Sequence, residues 1–100
     1  MATYKQQLGY LHKRLLGIKC EQAAEAAELV AKAIATHPVN PSLNEEIKLF
    51  HAVWGLMSRA LDLADLTEEA ELEAKALEAE MAGHVLTARL AKGELVRTVA

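Results

Sequence analysis

The two prolines of this chain lie close together, and this placement limits what the chain can fold into. Pro38 and Pro41 both fall within "THPVNPS", and the long stretches on either side contain no proline. Because proline cannot occupy a helix interior, this stretch is predicted to be a connection. Hydrophobic residues make up 52% of the chain but aromatic ones only 4%. Alanine and leucine therefore supply most apolar positions, which favours an all-α protein.

Apolar residues recur at alternating steps of three and four along four segments, as in helices with one buried face. The third segment opens with Ser42-Leu-Asn-Glu45, which is typical of a capping box. It carries two adjacent apolar rows, so we expect it to be the central helix, with Trp54 in the core. The sequence predicts a single domain, 1–100, folded as a small four-helix bundle with helices over 3–16, 20–35, 43–64 and 67–92.

The fourth predicted helix is apolar on two sides. One side is expected to face the core and contains Leu66, Ala70, Ala74, Leu77, Met81, Val85 and Ala88. Nearly opposite lies what we call the second stripe, Leu72, Ala76, Ala79, Gly83, Leu86 and Leu90. Two interpretations remain open. Either this stripe packs against a second copy or another protein, or the helix lies centrally with neighbours on both sides.

Acidic residues concentrate in the same part of the chain. From Asp62 to Glu80 there are eight acidic residues and one lysine, whereas the remainder has six acidic and ten basic residues. Such a run is usually a solvated face, or it can pair with the basic first helix within the chain. It can also attract a basic partner or imitate nucleic acid. The candidate acidic surface is Asp62, Asp65, Glu69, Glu73 and Glu80.

The chain lacks the sequence motifs that mark an enzyme or a metal site. Glu80 and His84 lie one turn apart, but no Glu-x-x-His motif or paired cysteine occurs. Cys20 is the only cysteine, so no intrachain disulfide can form. We therefore predict a non-enzymatic protein with no metal, cofactor or catalytic residue. The absence of a long apolar run favours a cytoplasmic protein that does not enter a membrane.

Together these features favour a non-enzymatic helical interaction protein, expected to be a homodimer, that binds another protein through its fourth helix. One concrete version is a small phage or bacterial inhibitor, anti-CRISPR-like in action, that blocks a basic nucleic-acid-binding protein. One alternative is a dimeric DNA-binding regulator that uses the basic first helix. Direct DNA binding is disfavoured because Glu21, Glu45 and Glu46 open the helices that would approach phosphate. Another alternative is a structural helical subunit without independent activity.

Overall fold

The computed structural model describes residues 3–36, 42–63 and 66–93, and within these ranges all regular structure is helical. The helices are α1 (Tyr4–Gly17), α2 (Glu21–Thr36), α3 (Leu43–Leu63) and α4 (Glu68–Lys92). The predicted all-α, bundle-like fold is confirmed. The four apolar segments identified in the sequence correspond to these four helices.

Side chains cap the starts of α1 and α3. At α1 the Thr3 hydroxyl accepts a hydrogen bond from the Gln6 amide at 3.2 Å, and the Gln6 side chain accepts from the Thr3 amide at 2.9 Å. This reciprocal capping box was not expected from the sequence. At α3 the Ser42 hydroxyl accepts from the Glu45 amide at 3.3 Å, as its capping sequence predicted.

The core forms because α3 packs against both α2 and α4, while α1 packs mainly against α2. The two apolar rows of α3 therefore face two neighbours, which explains their width. The largest fully buried side chains come from all four helices and are Leu8, Leu15, Val30, Val53, Met57 and Leu77.

The expectation that Trp54 lies in the core is only partly correct. Its side chain is half-buried, and its ring meets His51 edge-on at 5.4 Å. The most buried line on α3 runs between its two apolar rows, through Phe50, Val53, Met57 and Ala60. Trp54 lies to one side of this line, so it covers the core instead of filling it.

The molecule is flat, with principal extents of 39 × 38 × 22 Å. A thickness of 22 Å corresponds to two layers of helices, each about 10–12 Å across. None of the helices in the described ranges is long and apolar enough to cross a membrane. In so thin a molecule, a helix at the edge has one face with no neighbour to cover it.

Candidate functional site

Helix α4 buries one of its apolar faces and leaves the other open to solvent. The inward face is buried along its length at Ala74, Leu77, Met81, Val85 and Ala88. All six residues of the second stripe are exposed. The exposed fraction is 66% for Leu72, 53% for Leu86 and 38% for Leu90. The described helices thus cover α4 on one side, and the arrangement with neighbours on both sides is not what the structure shows.

Local sequence determines where this exposed face begins and ends. The Thr67 hydroxyl accepts a hydrogen bond from the Ala70 amide at 3.2 Å and caps the start of α4. Gly93 ends the helix in the left-handed conformation, with φ of 82°, which glycine adopts without steric cost. The second stripe therefore lies on one uninterrupted helix. A Cβ added at Gly83 would meet no atom within 4 Å, so this face is open at its centre.

Two of the five candidate acidic residues are held by ion pairs within the chain. Arg14 of α1 lies between two carboxylates of α4, with Nε 2.7 Å from Glu73 and Nη1 2.5 Å from Glu80. Partial burial lowers the pKa of Arg14, but the hydrogen bonds and charges of both carboxylates outweigh it and leave the pKa raised. This contact joins the basic first helix to the acidic fourth helix.

The other members of the candidate acidic surface are not brought into this cluster. Asp62, near the end of α3, and Glu69, in the first turn of α4, are both exposed. Asp65 falls outside the described residues. The acidic surface is therefore partly neutralised by Arg14 and partly open to solvent.

The opposite border of the second stripe is also acidic. Glu78 accepts a hydrogen bond from the Ser58 hydroxyl of α3 at 2.6 Å, which ties this border to the neighbouring helix. Glu71 and Lys75 lie 3.4 Å apart, one turn apart on α4. Both of their side chains are more than half exposed, so this pair contributes only about 0.3–0.5 kcal/mol to stability. Carboxylates thus flank the exposed apolar residues on both sides.

A groove of about 470 Å³ opens between α1 and α4. Its apolar floor is formed by buried side chains of three helices, Leu8, Leu11, Phe50 and Met81. Its polar rim contains Gln6, Gln7, Tyr10, Arg14, Glu80 and His84. The sequence did not reveal this groove, because apolar spacing assigns residues to helix faces but says nothing about gaps between helices.

The rings of Phe50 and His84 line the groove, and Phe50 also contacts Tyr4, which is not a lining residue. Phe50 stacks on His84 with ring centroids 4.9 Å apart, and Tyr4 meets Phe50 edge-on at 6.3 Å. Burial raises the pKa of Tyr4 to about 12, with smaller contributions from the negative charges of Glu46 and Glu45. Burial also raises the pKa of Glu46, opposed by the charge of His84. The groove is therefore aromatic where Phe50 and His84 line it.

The residues with the greatest potential for chemistry take structural positions. Cys20 is half-buried, and its Sγ accepts a hydrogen bond from the Ala23 amide at 3.4 Å, at the start of α2. Glu80 pairs with Arg14, and His84 stacks on Phe50. Across residues 3–36, 42–63 and 66–93, no three His, Cys, Asp or Glu side chains are grouped as a metal site.

Compared with protein-family profiles, with curated proteins and with solved structures, the chain matches none. Its function is therefore inferred from its own surfaces. Two of them stand out in the described structure: the second stripe with its acidic borders, and the groove between α1 and α4.

Proposed function

We propose that this chain is a non-enzymatic helical interaction module that binds another protein through the second stripe of α4. The observation that carries the proposal is the exposure of Leu72, Leu86 and Leu90 along one face of a single helix. Burying apolar side chains in an interface lowers the free energy by roughly 25 cal/mol per Å² of apolar surface removed from water. A contiguous apolar strip bordered by charged residues is typical of a protein-binding surface.

A second copy of the chain is the first partner that this stripe fits. The six residues are spaced by steps of four, three, four, three and four, a series that reads the same in both directions. Two antiparallel copies therefore bring the stripes into register about Met81. Leu72 then meets the partner's Leu90, Ala76 meets the partner's Leu86, and Ala79 meets the partner's Gly83. Large residues lie at the ends and small ones at the centre, so the backbones can approach closely.

Charge also favours the antiparallel arrangement over the parallel one. In the first half of α4, Glu68, Glu69, Glu71 and Glu73 lie within two turns, whereas the described part of the helix after Glu80 carries no acidic residue. Parallel pairing would set these glutamates against their own copies. Antiparallel pairing places Glu71 near the partner's Arg89, and oppositely charged neighbours flanking an apolar seam determine helix orientation.

The acidic borders support a further partner, a basic protein that binds nucleic acid. Glu69 remains exposed beside the second stripe and Asp62 is exposed near the end of α3, so a dimer would still present acidic residues to solvent. Complementary charge raises association rates and selects partners. In its concrete form, the protein is a small phage or bacterial inhibitor that occupies the basic groove of a nucleic-acid enzyme.

The alternative of a DNA-binding regulator receives less support. Arg14, in the basic first helix, already pairs with Glu73 and Glu80 of α4, so its charge is compensated. Helices α2 and α3 present Glu21, Glu45 and Glu46 in their first turns, where phosphate would be repelled. We expect no shift of duplex DNA by this protein even at low salt, whereas a regulator would bind in a salt-dependent manner.

The deciding experiment measures molar mass in solution by light scattering. We expect wild type to have twice the 10.9 kDa mass of the chain. Ala79→Glu places a charge at the centre of the second stripe and is expected to yield the monomer, because each introduced carboxylate would be buried against the partner's Gly83 with no positive charge to pair with.

The matched control is Ala31→Glu, which makes the same change at an exposed alanine of α2. We expect this variant to remain a dimer. A monomeric wild type at high protein concentration would exclude the homodimer. A dimer that survives Ala79→Glu would show that the second stripe is not its interface.

A further inference from the structure

We infer that the groove between α1 and α4 is a small-molecule site that accepts a planar aromatic cation. Its volume of about 470 Å³ falls in the range of roughly 300–1,000 Å³ that ligand pockets occupy. None of its lining residues belongs to the second stripe. The site is therefore separate from the surface proposed to bind protein, and the two proposals can be tested independently.

The floor of the groove suits a flat ring. Leu8, Leu11, Phe50 and Met81 are each at most 6% exposed, so they form a packed surface at the bottom of the groove. A ring placed there would exclude water from apolar contacts, and Met81 supplies a polarizable sulfur. The neighbouring Phe50–His84 stack extends the surface with further aromatic edges. Shape and chemistry of the floor thus favour an aromatic ligand.

The charges around the groove determine the sign of the ligand. Among the described residues that line the groove, Arg14 is the one arginine or lysine, and its guanidinium already pairs with both Glu73 and Glu80. The side chain of Glu80 remains 47% exposed at the rim. Together these groups leave an excess of negative charge, which favours a cation.

The ion pair between Arg14 and Glu80 also favours the binding of cationic ligands over anionic ones. A carboxylate has several acceptor positions, so Glu80 can receive a hydrogen bond from a cationic ligand while it keeps Arg14. An anionic ligand would have to compete with Glu73 and Glu80 for the same guanidinium. The arrangement therefore disfavours anionic ligands.

The test uses three probes that share one ring system and differ in charge: 2-naphthamidine, 2-naphthamide and 2-naphthoate. Each is titrated into isotope-labelled protein, and backbone amide shifts are followed by NMR. We expect naphthamidine to give saturable shifts at Leu11, Glu80 and His84. Its affinity should exceed that of naphthamide by about two- to fivefold, the effect of one partly exposed charge pair, with naphthoate the weakest.

Variants separate the charge from the shape of the groove. Glu80→Gln should abolish the preference for naphthamidine over naphthamide, whereas Glu69→Gln, an exposed position of the same helix, should preserve it. Gln7→Trp, which places a bulky side chain in the groove from its rim, should weaken binding of all three probes. Thermal unfolding of each variant establishes that it is folded.

Several results would overturn the inference. These are the absence of saturable shifts at the groove, binding of naphthoate as tight as that of naphthamidine, or shifts confined to the second stripe. A lysine-rich peptide that shifts the groove amides when naphthamidine does not would show a peptide site in place of a small-molecule site.

Discussion

Arg14 links two helices whose backbones pack little against each other. Its guanidinium reaches from α1 to Glu73 and Glu80, which are seven residues apart on α4 and therefore on the same side of that helix. The Arg14 side chain is 20% exposed and also lies 5.6 Å from the centre of the Tyr10 ring. Arg14 thus fixes the carboxylates along one border of the second stripe and also lines the groove.

Replacing this arginine should have a modest, salt-dependent effect. Arg14→Met keeps much of the aliphatic stem but leaves Glu73 and Glu80, on the same side of α4, without a cation between them. Because both carboxylates are more than a third exposed, we expect the free energy of unfolding to fall by only about 0.5–1 kcal/mol. Urea denaturation at low ionic strength measures the difference, which should shrink in 1 M salt.

Lys13→Met is the matched control, since it removes one positive charge from an exposed position of the same helix. We expect its effect on unfolding to be smaller than that of Arg14→Met. Equal losses for the two variants would mean that net charge, and not the specific ion pairs, accounts for the change. A loss that does not respond to salt would point to lost packing instead.

Helix α4 shows what a single element's sequence can and cannot specify. Its two apolar stripes were identified from spacing alone, because residues three and four apart share a helix face. Spacing could not decide whether the second stripe would also be covered within the chain, since that depends on where the other three helices lie. The charge layout left it open whether the acids would pair within the chain or face a partner. In the structure, Glu73 and Glu80 pair within the chain, while Glu69 remains exposed.

The two faces of α4 should respond differently to the same substitution. Leu77→Ala removes a fully buried side chain and should lower the free energy of unfolding by about 2–5 kcal/mol, from lost burial and the cavity left behind. Leu72→Ala, at a position 66% exposed, should change it by less than about 0.5 kcal/mol in the monomer. Urea denaturation at low protein concentration measures both.

The same pair of variants also reports on assembly. At high protein concentration, where a dimer contributes to stability, Leu72→Ala should lose the additional stabilisation that wild type gains. A loss for Leu72→Ala as large as that for Leu77→Ala at low concentration would contradict the exposure of the second stripe in the isolated chain.

At the scale of the whole molecule, the order of packing follows from the central position of α3. The width of its apolar surface predicted that α3 is the central helix, and it packs against both α2 and α4. The groove could not be predicted, because it arises where α1 meets α4 through Arg14 and a few apolar side chains without close helix packing. The spacing of Leu8 and Leu11 along α1 does not predict how far these residues lie from Met81 of α4. Contacts within a helix are encoded locally, whereas the separation between helices depends on the whole core.

The register of the proposed dimer can be measured directly with spin labels. In a Cys20→Ser background, single cysteines replace Glu69 or Thr87, which are exposed and lie beside the second stripe. With a rise of 1.5 Å per residue, an antiparallel dimer centred on Met81 places the two Glu69 positions about 36 Å apart and the two Thr87 positions about 18 Å apart along the helices. A parallel dimer predicts short distances at both positions, near the helix separation of about 8–10 Å. Pulsed electron paramagnetic resonance resolves these cases, and equal short distances at the two positions would rule out the antiparallel arrangement.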